Sequence, residues 1–159
     1  MLHLTMTGEY AVRAMLHLAS QPLGAVIPIR EISRAWDIPG TFLRKIVQLL
    51  TKAGLLLSQR GISGGVSLAK PAEQISLLEV IEAAEGRMVL NTCLLQPGAC
   101  PRDRWCAVHL VWQEAQRSVE KVLRAYSLAG LAELSLAKRQ QRGFPILSVG
   151  RRTPAEIVM

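Results

Sequence analysis

Two helical patterns separated by four residues constrain this chain more than any other feature. In residues 29–36 the apolar side chains Ile29, Ile32 and Ala35 or Trp36 share one face, which predicts a two-turn helix. Asp37-Ile38-Pro39-Gly40 is a turn signal, and beyond it Phe42, Leu43, Ile46, Leu49 and Leu50 hold a 3/4 spacing until Gly54 stops it. Two amphipathic helices across so tight a turn predict a helix-turn-helix. The runs Leu55 to Gln59 and Val66 to Ala69 then flank Arg60-Gly61-Ile62-Ser63-Gly64-Gly65, which reads as two short strands around a glycine-rich tip.

The remaining elements are arranged around that unit. Thr7 is placed to cap a first helix whose Ala11, Met15, Leu18 and Ala19 recur at helical spacing before the breaker Gln21-Pro22-Leu23-Gly24. Ser76 and Glu79 have the spacing of a capping box and open a helix to about Ala84. Residues 85–105 read as a long loop. From Ala107 the pattern Leu110, Val111, Ala115, Val119, Val122, Leu123, Tyr126 continues for about five turns. A small head cannot cover such a stripe, and a second copy of the chain is the simplest partner. Leu128 to Ala137 predicts a last short helix, and Lys138-Arg139-Gln140-Gln141-Arg142 begins a polar tail expected to be mobile.

The expected fold is therefore mainly α with a small β-hairpin wing: a winged helix-turn-helix over residues 1–75, a loop and long dimerisation helix over 76–137, and a basic tail over 138–159. Half of the 159 residues are hydrophobic, enough for a core of that size.

The net charge of +7 is unevenly placed. Residues 1–75 carry eight Lys/Arg against four Asp/Glu, residues 76–137 six against seven, and residues 138–159 five against one. Basic ends point to a polyanion, because Lys and Arg beside phosphates release condensed counterions. No apolar run approaches a membrane span and no secretory signal opens the sequence, so a cytoplasmic location is expected. No nucleophile and base form a recognisable motif, and catalysis is not expected.

Residues 29–70 hold seven basic and two acidic side chains. Arg44 and Lys45 fall opposite the apolar stripe of the second helix of the pair, where a helix in the major groove would present them, and Thr41 lies near its start. Arg60 at the hairpin tip suits a phosphate or the minor groove, while Gly61, Gly64 and Gly65 would let the backbone approach closely. A solvated basic face on a small helical core is the plain alternative; the hairpin beside it favours double-stranded DNA.

The three cysteines fall within fourteen residues, and with His109 they give the spacing C-x6-C-x5-C-x2-H over Cys93, Cys100, Cys106 and His109. Positions 106 and 109 share a helix face. Thiolate and imidazole donors suit zinc and iron-sulfur clusters alike, and a metal-free thiol switch uses the same residues. A small redox or electron-transfer protein would explain the cysteines but leave the basic helix-turn-helix without a purpose. His3 and His17 read as surface or packing residues, and Trp36, Trp105 and Trp112 as core or interface anchors. Glu9, in the first turn of helix one, is favoured there by the helix dipole alone. If a dimer brings this end of the helix to the partner's cysteine loop, Glu9 could supply an oxygen ligand there.

Three separated motifs carry a resemblance. These are Leu4-Thr5-Met6-Thr7-Gly8-Glu9-Tyr10-Ala11-Val12-Arg13-Ala14-Met15, the tip Arg60-Gly61-Ile62-Ser63-Gly64-Gly65, and the cysteine cluster followed by His109-Leu110-Val111-Trp112. Together, over roughly residues 1–136, they resemble the Rrf2 family of winged-helix transcription regulators. The resemblance implies a homodimer with crossing long helices that reads a palindromic operator, with Thr41, Arg44, Lys45 and Arg60 and its glycines at the DNA. It also implies a 2Fe-2S or 4Fe-4S cluster on Cys93, Cys100 and Cys106, sensing iron, redox state or nitric oxide. Cys106-Ala107-Val108-His109 with Trp112 is similar to the IscR-like pattern, in which the histidine is the fourth ligand of a 2Fe-2S cluster. Glu9 stands where NsrR-like members place an acidic ligand from the other protomer. Members that sense cysteine metabolism through a protein partner generally lack the three-cysteine set. The chain departs from the IscR-like pattern by six residues, instead of five, between its first two cysteines, and by Pro39-Gly40 in place of a polar cap.

Overall fold

A computed structural model describes residues 4–142. Helix α1 (Met6–Ala19) runs through the middle of the head and touches α2 (Ile29–Trp36), α3 (Gly40–Lys52), α4 (Leu77–Glu85) and α6 (Leu128–Gln141). Its buried face is Ala11, Ala14, Met15 and Leu18, as its spacing required. The N-cap is Thr5 and not Thr7: the Thr5 hydroxyl accepts from the Thr7 amide at 3.2 Å. The start of the helix is set from outside it. The Glu85 carboxylate, at the end of α4, accepts from Thr5 N at 2.7 Å, Thr5 Oγ1 at 2.7 Å and Gly8 N at 3.1 Å. Gly8 makes this approach possible, since a Cβ there would stand 2.8 Å from Glu85 Cδ.

Helices α2 and α3 form the expected pair. Asp37 adopts a left-handed conformation (φ 52°) to end α2, and the Ser33 hydroxyl donates to Ile38 O at 2.6 Å across the turn. Ile38 is buried at the centre of the turn. In α3 the buried residues are Leu43, Ile46, Val47 and Leu50, while Phe42 and Leu49, expected on the same stripe, are exposed. Phe42 instead meets Tyr10 of α1 edge to face, ring centroids 6.1 Å apart.

Strands β1 (Leu56–Gln59) and β2 (Gly65–Leu68) pair antiparallel with Leu56 opposite Leu68 and Gln59 opposite Gly65. Ile27 adds a single bridge to Val66. Every residue of β2 is buried, whereas only Leu56 of β1 is.

The capping box of α4 forms as expected, with Glu79 N donating to Ser76 Oγ at 3.2 Å and Ser76 N to Glu79 Oε2 at 2.8 Å. Val80 and Ala84 of α4 and Leu128 of α6 belong to the same core as α1 to α3. Residues on both sides of the division expected after residue 75 thus pack into one core. Helix α5 (Ala107–Ala125) packs against α4, and beyond its end the chain is fastened to the start of α4: Leu77 N donates to Tyr126 O at 2.9 Å and Leu128 N to Ile75 O at 2.8 Å.

Helix α6 extends to Gln141, four residues past the expected end at Ala137. Tertiary contact explains the extension, because the Arg139 guanidinium stacks 4.8 Å over the Trp36 ring of α2. The expectation of a mobile tail falls, beyond residue 142, outside the described residues. No helix among the described residues is long and apolar enough to cross a membrane.

Candidate nucleic-acid interface and metal centre

Helix α3 buries one face against the head and turns the other outward. Thr41, Arg44 and Lys45 are all exposed there, and Gln48 joins them one turn on. Gln48 escaped the sequence reading, although its spacing from Arg44 and Thr41 places it on the same face. Pro39 caps α3 without a side-chain hydrogen bond, and the first turn carries no acid. The amides of that turn therefore have no side-chain acceptor, and the positive end of the helix dipole is not offset. A helix presented this way offers Arg and Gln forks to base edges and its start to a phosphate.

At the hairpin tip Arg60, Gly61, Ile62 and Ser63 are exposed. Gly61 has φ 110°, a conformation that disfavours any side chain, and Gly64 N donates to Gly61 O at 3.0 Å to close the turn. The expected role of Gly65 needs correction. It is buried in the head, where a Cβ would stand 2.6 Å from the Ile27 carbonyl carbon, so the backbone that approaches it is the chain's own. Gly64 is likewise crowded by the carbonyls of Gln59 and Gly61.

The cysteines lie on a loop built from turns. Cys93 sits in the 3-10 turn Thr92–Leu94, Cys100 O accepts from Asp103 N at 3.1 Å, and Cys106 is the N-cap of α5. Arg87 Nη1 donates to Leu95 O at 3.1 Å, and Gly98 N to Asp103 Oδ2 at 3.0 Å. All three thiols are free and half-buried. Gln116, buried on α5, ties the entrance of the loop down: its amide donates to Met88 O at 2.7 Å and accepts from Leu90 N at 2.9 Å. Nothing in the sequence pointed to Gln116, since Met88 and Leu90, the loop partners it holds, lie more than two dozen residues away.

His109 is in the first turn of α5, its amide donating to Cys106 O at 3.0 Å. Its Nε2 lies 3.0 Å from Gln113 Nε2, and its Nδ1 is buried without any hydrogen-bond partner. A buried polar atom left unpaired calls for a physical reason. Among the described residues, no three of His, Cys, Asp and Glu are brought into a group that could hold a metal ion. The donor chemistry fits a thiolate and imidazole centre, with three free thiols and one ring nitrogen held out of water; the convergence of those donors is not formed. Glu9 is engaged elsewhere, its carboxylate 3.1 Å from Arg13 Nη2 one turn along α1. His17 is a packing residue: Trp36 Nε1 donates to its Nδ1 at 3.2 Å, and burial pushes its pKa down despite Glu31 nearby. Trp105 stands 73% exposed beside Cys106, while Trp112 is half-buried.

The sequence model of Rrf2, described as an iron-dependent transcriptional regulator, matches residues 4–134. The chain belongs to the Rrf2 family. It is similar to the HTH-type transcriptional regulator IscR of Xenorhabdus nematophila, 32% identical over 157 residues that span 96% of this chain and 92% of that protein. Of solved structures, T. potens IscR superposes with a TM-score of 0.68 at 26% identity, covering 88% of this chain and 91% of that one. CymR, the global cysteine regulator of B. subtilis, superposes with a TM-score of 0.67 at 25% identity, covering 84% and 98%. The helices and hairpin are thus those of a winged-helix Rrf2 transcription regulator.

Proposed function

We propose that this Rrf2 regulator binds a palindromic site in double-stranded DNA as a homodimer, and that binding depends on an iron-sulfur cluster, 2Fe-2S in preference to 4Fe-4S. Cys93, Cys100 and Cys106 would hold the cluster with His109 as fourth ligand. The observation that carries the reading is the His109 Nδ1, buried and unpaired one helical turn from Cys106. Glu9 is the weaker choice of fourth ligand because its carboxylate already has Arg13. Such a cluster, when bound, supplies a group that reacts with oxidants and nitric oxide and is lost when iron is scarce.

The chain's own residues would pass its state to the head. Cys106 caps α5, so a demand on its thiol acts on the start of that helix. Gln116 couples α5 to Met88 and Leu90, and Glu85, just before them, holds the start of α1. The apolar residues Val108, Val111 and Val122 of α5, with Tyr126 at its C-cap, remain exposed at 3/4 spacing and would pack against the same helix of a second copy. On DNA, Thr41, Arg44 and Lys45 would lie in the major groove, and Arg60 would meet the backbone or minor groove.

Anaerobic purification with iron and sulfide counts per chain, followed by operator titration of the loaded and stripped protein, tests the reading. Equal iron and sulfide, lost together in a Cys93, Cys100, Cys106 triple alanine variant along with the signal response, is the expected result. A second reading has its own support: the three thiols are free, and among the described residues they are not brought into a group that could hold a metal ion. A colourless chain whose DNA binding responds to thiol oxidation, or one that retains zinc in air, would replace the cluster by a thiol switch or a structural zinc.

A further inference from the structure

One ring nitrogen of His109 faces the side-chain amide of Gln113, four residues on along α5, and the other faces nothing that can bind it. The Gln113 amide nitrogen lies 3.0 Å from His109 Nε2, and a half-turn of that amide puts its oxygen in the same place. The two orientations fix opposite tautomers. With the amide NH2 inward, Nε2 must accept and the ring hydrogen sits on Nδ1, a buried N–H with no acceptor. With the oxygen inward, Nε2–H donates to Gln113 and Nδ1 presents a bare lone pair. Unpaired buried N–H groups are rarer than unpaired acceptors, and only the second arrangement can be completed by a metal. Histidines that ligate metals commonly donate their other ring N–H to an oxygen, which fixes the tautomer and raises ligand basicity.

We propose that Gln113 is a positioning residue that holds His109 in the Nε2–H tautomer, so that Nδ1 is the ligating atom. The inference rests on the reading of His109 as a cluster ligand. It assigns Gln113 a role separate from that of Gln116, whose amide is spent on Met88, Leu90 and Glu120.

The test has an arm that needs no cluster. In the metal-free, full-length chain labelled with 15N-histidine and held at about pH 8, the His109 signals are identified by their loss in His109→Ala. The expected wild-type pattern is a hydrogen fixed on Nε2. Gln113→Leu should move the ring-nitrogen shifts toward the average of freely exchanging tautomers, and Gln113→Glu, which keeps an oxygen acceptor, should restore the fixed pattern. In the loaded protein, Gln113→Leu should lose iron to a chelator about 10- to 100-fold more readily, with Gln113→Glu recovering most of that retention. A ring hydrogen on Nδ1, or a Gln113→Leu chain with unchanged shifts and iron retention, would overturn the role of Gln113 while leaving the cluster reading intact. A wild-type chain that takes up no iron and sulfide would overturn both.

Discussion

Gly64 and Gly65 stand side by side at the wing and answer to different constraints. Gly64 serves the turn, while Gly65 is pressed against the Ile27 backbone in the strand bridge that seats the wing on the head. Gly65→Ala should therefore lower the urea midpoint by the equivalent of about 1–3 kcal/mol, as overpacking of a filled site does. The operator affinity of the folded fraction should change little. A second residue sets a pH dependence. Burial holds the His17 pKa below its ordinary value; the facing groups are Glu31, which opposes the shift, and Arg139, which adds to it. A base whose folded value is depressed contributes its full stability above the ordinary value near 6.5, and loses it as the pH falls toward the folded value. The urea midpoint should thus be lower at about pH 5.5 than at about pH 7.5, and His17→Gln should reduce that difference.

At the scale of elements, α5 is the outlier, since a helix of 19 residues buries only Gln116. Val111 and Val122 are 65% and 57% exposed on its apolar stripe. Glutamate at both positions should leave the head folded and shift the protein from dimer to monomer in sedimentation, with loss of operator binding. Retention of the dimer would place the interface elsewhere. The helix-turn-helix, the wing and the capping box of α4 were legible in the sequence because each rests on local rules: 3/4 spacing, glycine at a turn, serine three residues before glutamate. What stayed illegible depends on distant partners. Thr7 lost the cap of α1 to Thr5 because Glu85, remote in sequence, fixes the start of the helix. Lys138 to Gln141 looked like a tail because the stacking of Arg139 on Trp36 leaves no local pattern. Spacing could only suggest Cys93, Cys100, Cys106 and His109 as donors, whereas the Gln113 amide beside His109 and the Gln116 anchor could only be found in three dimensions.

The whole molecule, paired through α5, would set two recognition helices at one separation. Adding about 5 base pairs between the half-sites would then turn one of them to the far side of the duplex and abolish binding, while about 10 added pairs would restore the facing without the spacing. Loss of affinity in the first case, measured by operator titration, is the expected result; indifference to the insertion would mean that each head binds alone.

The fastening of Leu77 to Tyr126 and of Ile75 to Leu128 also has a mechanical meaning. Between these points the chain travels out along α4 and the cysteine loop and back along α5, so both feet of the excursion stand on one spot of the head. At about 1.5 Å per residue α5 is a rod of about 28 Å between Cys106 and Tyr126, held at its middle by the bonds of Gln116 to Met88 and Leu90. A shift of about 5 Å at its Cys106 end would tilt a rigid rod of that length by about 10°, and one of about 1 Å by about 2°. Because the tilt scales with the shift, a rigid α5 would hand on a movement at Cys106 in proportion to its size, through Gln116 to the entrance of the loop and through Tyr126 to Leu77.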